Sequence, residues 1–83
     1  MTILNRQGLH ARPVMQFVDV AARFHSTVTV SKGDLQVDAK SPMEMMLLEA
    51  TCGTTLNLTA HGEDAHEVIE ALANLILGRF EEP

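Results

Sequence analysis

Along this chain the spacing of apolar residues changes period several times, and each change marks an element boundary. Met1 to Leu4 is a short apolar run that reads as a strand. From Ala11 to about Phe24, the residues Val14, Phe17, Val18, Ala21 and Phe24 recur at helical intervals, so an amphipathic helix is predicted with its start at His10. The stretch STVTVSKGDLQVD alternates on both sides of Lys32-Gly33-Asp34, the pattern of a half-buried hairpin, with Val28, Val30, Leu35 and Val37 facing the core. Ser41, Pro42 and Glu44 then form an N-cap, a first-position proline and a third-position acid, predicting a short helix through about Leu48. TTLNLTAHG alternates again as a strand through Leu56, Leu58 and Ala60. EDAHEVIEALANLILGRF closes the pattern as a helix, with Asp64 and Glu67 at capping-box spacing, Val68, Leu72, Leu75 and Ile76 as its buried stripe, and Gly78 and Arg79 at its C-terminal end.

The order is therefore strand, helix, two strands, short helix, strand, helix. Strands with polar alternate positions need cover on one face only, which predicts an α+β fold, an open-faced β-sandwich of βαββαβα order whose antiparallel sheet carries three helices on one side. No linker or repeat interrupts residues 1–83, so a single domain is expected.

Composition narrows the function. With three Phe and neither Trp nor Tyr, aliphatic packing carries the core and little surface remains for stacking bases. A net charge of −5 argues against binding along a phosphate backbone, so nucleic acid is not an expected partner. The lone Cys52, placed in a turn before Gly53, can form no internal disulfide and suits a reducing compartment. No signal-peptide pattern and no apolar run near the ~18 residues of a membrane span are found, so a cytoplasmic protein without membrane insertion is expected.

The chemistry centres on QGLHARPVMQF. A helix start leaves N–H groups without intrahelical partners and carries a positive dipole end, a favourable place for an anion. Pro13 falls in the first turn, where a missing N–H costs nothing, and Gly8 lets the preceding loop turn tightly. Imidazole is a nucleophile that is substantially neutral at physiological pH, and Arg12 can hydrogen-bond phosphoryl oxygens during transfer. Taken alone, a histidine and an arginine at a helix start are more often solvated residues than a site.

GLHARP resembles the phosphorylation-site motif of the HPr family, the histidine-containing phosphocarriers of the bacterial phosphoenolpyruvate-dependent sugar phosphotransferase system. The resemblance continues through VDAKSPMEMM and LNLTAHGEDAHEVIEAL, along essentially the whole chain. It implies a four-stranded sheet of order 1-4-2-3. It also implies that His10 carries phosphate on Nδ1 and that Arg12 stabilises it, with the backbone of Ala11 and Arg12 binding phosphate. Phosphorylated enzyme I would be the donor and EIIA domains of sugar permeases the acceptors, with no cofactor and no catalysis beyond carriage.

Ser41 matches the family's regulatory serine, the substrate of HPr kinase/phosphorylase in many members. Serine is also explained as a helix cap worth about 1 kcal/mol, and Pro42 and Glu44 depart from the regulated pattern. The short helix holds more apolar residues than one buried face absorbs. Met45 and Leu48 are assigned to the core, while Pro42, Met43, Met46 and Leu47 are assigned to partner docking, with Lys40 supplying a charge contact. His25, His61 and His66 lack ligand-like spacing, so no metal site is expected. The rival reading is a regulatory HPr-like binding module controlled by phosphorylation at Ser41. A monomer suits transient docking in either case.

Overall fold

The computed structural model describes residues 1–81. Its helices are α1 (Ala11–Ala22), α2 (Pro42–Met46) and α3 (Ala65–Leu77), and its strands β1 (Thr27–Lys32), β2 (Leu35–Asp38) and β3 (Asn57–His61), with a short 3₁₀ turn at Arg79–Glu81. The period changes in the sequence explain most of these bounds. In α1 the residues Val14, Phe17, Val18 and Ala21 are buried, and in α3 Val68, Leu72 and Ile76 are. These stripes meet Val28, Val30, Val37, Met45, Leu48 and Leu56 in one core. Phe17 is fully buried there, and truncation to alanine would cost about 3–5 kcal/mol.

Both ladders of the sheet are antiparallel. β1 pairs with β2 through Val30↔Val37 and with β3 through Val30↔Leu58, giving the order β2-β1-β3. Thr27, Gln36, Asp38, Asn57, Thr59 and His61 are exposed on the strands, while the alternate positions Val28, Val30 and Val37 are buried. The sheet is thus open on one face and covered on the other.

The four-stranded order 1-4-2-3 is corrected to three strands. Met1–Leu4 does run beside the entry to β3, but it forms only the isolated bridge Thr2↔Thr55. The Ile3 N–H donates to the Thr54 carbonyl at 2.8 Å, and the N–H groups of Gly53 and Leu56 donate to the carbonyls of Ile3 and Met1 at 2.7 and 2.6 Å. A longer ladder is blocked because the partner chain turns at once, with the Thr54 N–H reaching back to the Thr51 carbonyl and Gly53 at φ 92°. The neighbour relation survives; the strand does not.

Other expectations shift for local reasons. α1 ends at Ala22, since Arg23 and Phe24 bond three residues back to Val20 and Ala21 and tighten the last turn. α2 ends at Met46, and Leu48 and Glu49 likewise bond three residues back, to Met45 and Met46. Leu35 shares the inward parity of Val37 but is 39% exposed, because it sits at the hairpin end of the sheet. Leu75 is only half-buried. Gly78 caps α3 with ordinary φ, and it is Arg79 and Phe80 that take positive φ beyond it.

The largest revision concerns Asp64. It occupies the N-cap of α3 but makes no side-chain cap bond. Its carboxylate instead accepts from the backbone N–H groups of His25 and Ser26, each at 2.8 Å, and from the Ser26 hydroxyl. Gly62 completes this junction. A Cβ there would lie 2.5 Å from the Ser26 Oγ and 2.8 Å from its Cα, so the two connections touch without room for a side chain. The exit of α1 and the entry of α3 are thereby tied together at one end of the β1–β3 pair.

Donation from the Ser26 hydroxyl, then from the His25 and Ser26 N–H groups, lowers the Asp64 pKa from 3.8 to about 2. A depressed folded-state pKa contributes stability that is fully present above the unfolded value and is lost as pH falls through the folded one. The melting temperature of the wild type should therefore drop more steeply between pH 3.8 and about 2 than that of Asp64→Asn, when both are followed by circular dichroism. Equal slopes would remove Asp64 from the acid response.

Candidate functional site

The site begins with the loop that delivers His10. Gly8 has φ +69°, and a Cβ built on it would lie 2.4 Å from the Ala50 carbonyl oxygen and 2.7 Å from the Thr51 Cα. Both obstacles are main chain, so only glycine fits. The next N–H, that of Leu9, donates to the Ala50 carbonyl at 2.7 Å, and the Leu9 side chain is buried. Residues 8–9 are thus seated on residues 50–51, and His10 emerges at a fixed point.

There it becomes the N-cap of α1. Its backbone is extended, φ −113° and ψ −168°, and its carbonyl accepts the first intrahelical bond from the Val14 N–H at 3.0 Å. The imidazole makes no capping bond to the helix and is half-buried. Ala11 and Arg12 follow as exposed residues, and Pro13, buried, has no N–H to offer. The N–H groups of Ala11 and Arg12 precede the first intrahelical donor and have no partner within the helix. His10, Arg12 and two oriented amides therefore share one exposed helix start with no acidic side chain in its first turn. A groove of about 330 Å³ lies elsewhere, on the sheet side, lined by Thr27, Gln36, Asp38, Lys40 and Glu44 among others, and does not include His10.

The geometry of α2 follows from two bonds. Lys40, just before it, donates from Nζ to the Phe24 carbonyl at 2.9 Å, beyond the end of α1. Ala50, just after it, accepts from Leu9 before the start of α1. The two helices consequently run antiparallel, and the exit of α2 lies on the His10 side. Met43 is 83% exposed, Leu47 62% and Met46 45%, with Pro42 also exposed, while Met45 and Leu48 are buried. The apolar division of α2 is as the sequence indicates. Met15 on α1 is also exposed, at 47%, where an alternative docking face on the first helix would lie.

Lys40 is half-buried, and its ammonium donates to the Phe24 carbonyl at the far end of α1 from His10. Ser41 belongs to that same far end. Its Oγ accepts from the Glu44 N–H at 3.3 Å, whereas the Glu44 carboxylate reaches the Asp38 N–H at 3.2 Å instead of the serine's own. The capping box is therefore only half closed. Cys52 is exposed in its turn, 3.6 Å from the Leu4 carbonyl. Among the described residues no three His, Cys, Asp or Glu side chains converge as metal ligands, and no helix is long and apolar enough to cross a membrane. One residue the sequence reading passed over is Asn5, wholly buried below the loop, with its Nδ2 donating to the Gly8 carbonyl at 2.5 Å. An asparagine three residues before a glycine was its only trace in the sequence.

Residues 1–77 match the family described as "PTS HPr component phosphorylation site". The phosphocarrier protein HPr of Pseudomonas aeruginosa is 45% identical over 83 residues, covering 99% of this chain and 92% of that protein. Among solved structures, HPr-C-His from Thermoanaerobacter tengcongensis superposes with a TM-score of 0.96 at 42% identity, covering 100% of this chain and 93% of that one. An HPr described as a dimer from the same organism gives 0.85 at 43% identity, covering 99% and 94%. With sequence and fold in agreement over nearly its full length, the chain belongs to the HPr family, the phosphocarriers of the phosphotransferase system.

Proposed function

We propose that His10 is the phosphoryl acceptor, and that it takes its phosphate from phosphorylated enzyme I and passes it to EIIA domains of sugar permeases. The observation that supports this most directly is the open N-terminus of α1, where an uncommitted imidazole stands beside two partnerless amides and an exposed guanidinium. In the forward step Nδ1 of the neutral ring attacks phosphorus in line. A P–N bond forms, the bond from phosphorus to the donor breaks, and the donor keeps that electron pair. The second transfer repeats this with His10 as donor, so no metal or organic cofactor enters the balance. The N–H groups of Ala11 and Arg12 and the Arg12 guanidinium stabilise the charge on the equatorial oxygens. His10 stands at a helix start beside exposed Ala11 and Arg12, where a relay between two proteins can reach it.

Docking is assigned to the exposed side chains of Met43, Met46 and Leu47, with Pro42 at the edge and Met15 added from α1; Lys40 is left out because Phe24 holds it. The same surface must serve donor and acceptor, and flexible thioethers suit that double use. A monomer leaves this face open. Regulation through Ser41 by HPr kinase/phosphorylase has weaker support, since the hydroxyl already serves as the α2 cap. The cytoplasm is the compartment where enzyme I and EIIA meet such a carrier.

Three outcomes test the reading. Incubation with enzyme I and phosphoenolpyruvate should add one phosphoryl group that survives alkali and is lost in acid, and His10→Ala should abolish it; acid-labile phosphate on that variant would move the site to another histidine. Arg12→Ala should slow transfer by about tenfold or more while the melting temperature stays within about 3 °C of wild type. A large loss of stability at normal transfer rate would make Arg12 structural. The pair Met43→Glu and Leu47→Glu, four residues apart on one face, should weaken binding to enzyme I and to EIIA together, by about tenfold or more each. Phosphorylation of that double variant by a small phosphoramidate, which needs no docking, should proceed at the wild-type rate. Unchanged binding of both partners would place the docking face elsewhere.

A further inference from the structure

We infer that Asn5 is a positioning residue for phosphotransfer, a buried strut that fixes the Gly8–Leu9 peptide plane and through it the place of His10. The inference rests on the reading of His10 as the phosphoryl acceptor.

The Asn5 side chain carries a cost. Asn5 is fully buried, yet its Oδ1 has no hydrogen-bond partner. An unsatisfied buried carbonyl costs on the order of 1–3 kcal/mol. Stability alone would favour an apolar residue at this position, beside Ile3 in the core. What the amide provides in return is local and specific. The Asn5 main-chain carbonyl accepts from the Gly8 N–H at 3.1 Å, and its side-chain Nδ2 donates to the Gly8 carbonyl. One residue therefore holds both polar groups of Gly8.

The second bond carries the functional consequence. The Gly8 carbonyl and the Leu9 N–H belong to the same planar peptide. Its oxygen is held by the Asn5 side chain from one side, and its N–H by the Ala50 carbonyl at 2.7 Å from the other. A plane held at both ends cannot rotate about its flanking bonds, and Gly8 is the residue where rotation would otherwise be easiest. The next residue but one is His10, whose ring makes no capping bond that could orient it independently. Removing the strut leaves α1 and the core intact and loosens only the approach of the nucleophile, where misplacement on the scale of 1 Å can cost a hundredfold in rate.

The test uses the whole chain and phosphorylated enzyme I. Asn5→Asp keeps the shape and removes the NH₂ donor, and Asn5→Ala removes the polar group altogether. In single-turnover transfer at saturating donor both variants should be slower by between about tenfold and a hundredfold, with the half-saturating donor concentration within about twofold of wild type because docking is untouched. A lowered melting temperature with a normal saturated rate for the folded protein would make Asn5 merely structural and overturn the inference; so would a loss confined to half-saturation. A measurement on the wild type decides the matter whether or not the variants fold. In nuclear magnetic resonance the Asn5 side-chain NH₂ should exchange with water at least about tenfold more slowly than those of Asn57 and Asn74, which are exposed; equal exchange means there is no strut. If wild-type His10 takes no phosphate, the reading of the site fails on its own, and the exchange measurement still judges the strut.

Discussion

His10 stands where it does because two stretches of backbone, residues 8–9 and 50–51, touch with no side chain between them. That contact is possible only at a glycine, and only with Gly8 in the left-handed region. Everything downstream inherits its precision. Leu9 is pinned to Ala50, His10 takes the N-cap, and Pro13 ends the run of partnerless amides so that two N–H groups, and no more, follow the histidine. The same contact brings the exit of α2, with its exposed Leu47, to the start of α1.

A half-buried imidazole at an exposed helix start takes its rigidity from the backbone beneath it. Two junctions provide it. Residues 1–3 are held against 53–56 by short main-chain bonds, though they never become a strand. At the opposite end of α1, Asp64 gathers the N–H groups of His25 and Ser26 while Gly62 lies against Ser26. α1 is consequently anchored at both ends by contacts far apart in sequence, and Lys40 closes the second end on Phe24. A scaffold of this kind can present a reactive group to successive partners without a moving part.

How much of this the sequence disclosed depends on the range of the interaction. Helical and strand periods are local, so the elements, the inward set Val28, Val30 and Val37, and the division of α2 into buried Met45 and Leu48 against exposed Met43 and Leu47 were all legible. The start of α1 at His10 was legible for the same reason. Asp64 and Glu67 showed a capping spacing, but a carboxylate that prefers donors 38 and 39 residues away in sequence leaves no local mark. Met1–Leu4 had strand composition and failed as a strand only because its partner turns at Gly53. The bond from Lys40 to the Phe24 carbonyl, 16 residues away in sequence, likewise leaves no local mark. Asn5, just after an apolar run, carried no chemistry of its own; its role exists only in relation to Gly8. The family resemblance supplied the partners, which no pattern of spacing contains.

On the proposed function, a phosphoryl group on His10 sits over the open start of α1 and is held by it. Resonance assignment of the phosphorylated protein, with ³¹P and ¹⁵N shifts compared against the free form, tests this directly. The account predicts ³¹P coupling to Nδ1 of His10 and large downfield shifts of the Ala11 and Arg12 amide protons, with the amides of α3 unmoved. Phosphate on His10 with the Ala11 and Arg12 amides unchanged would contradict it, since the helix start would then have no part in holding the group.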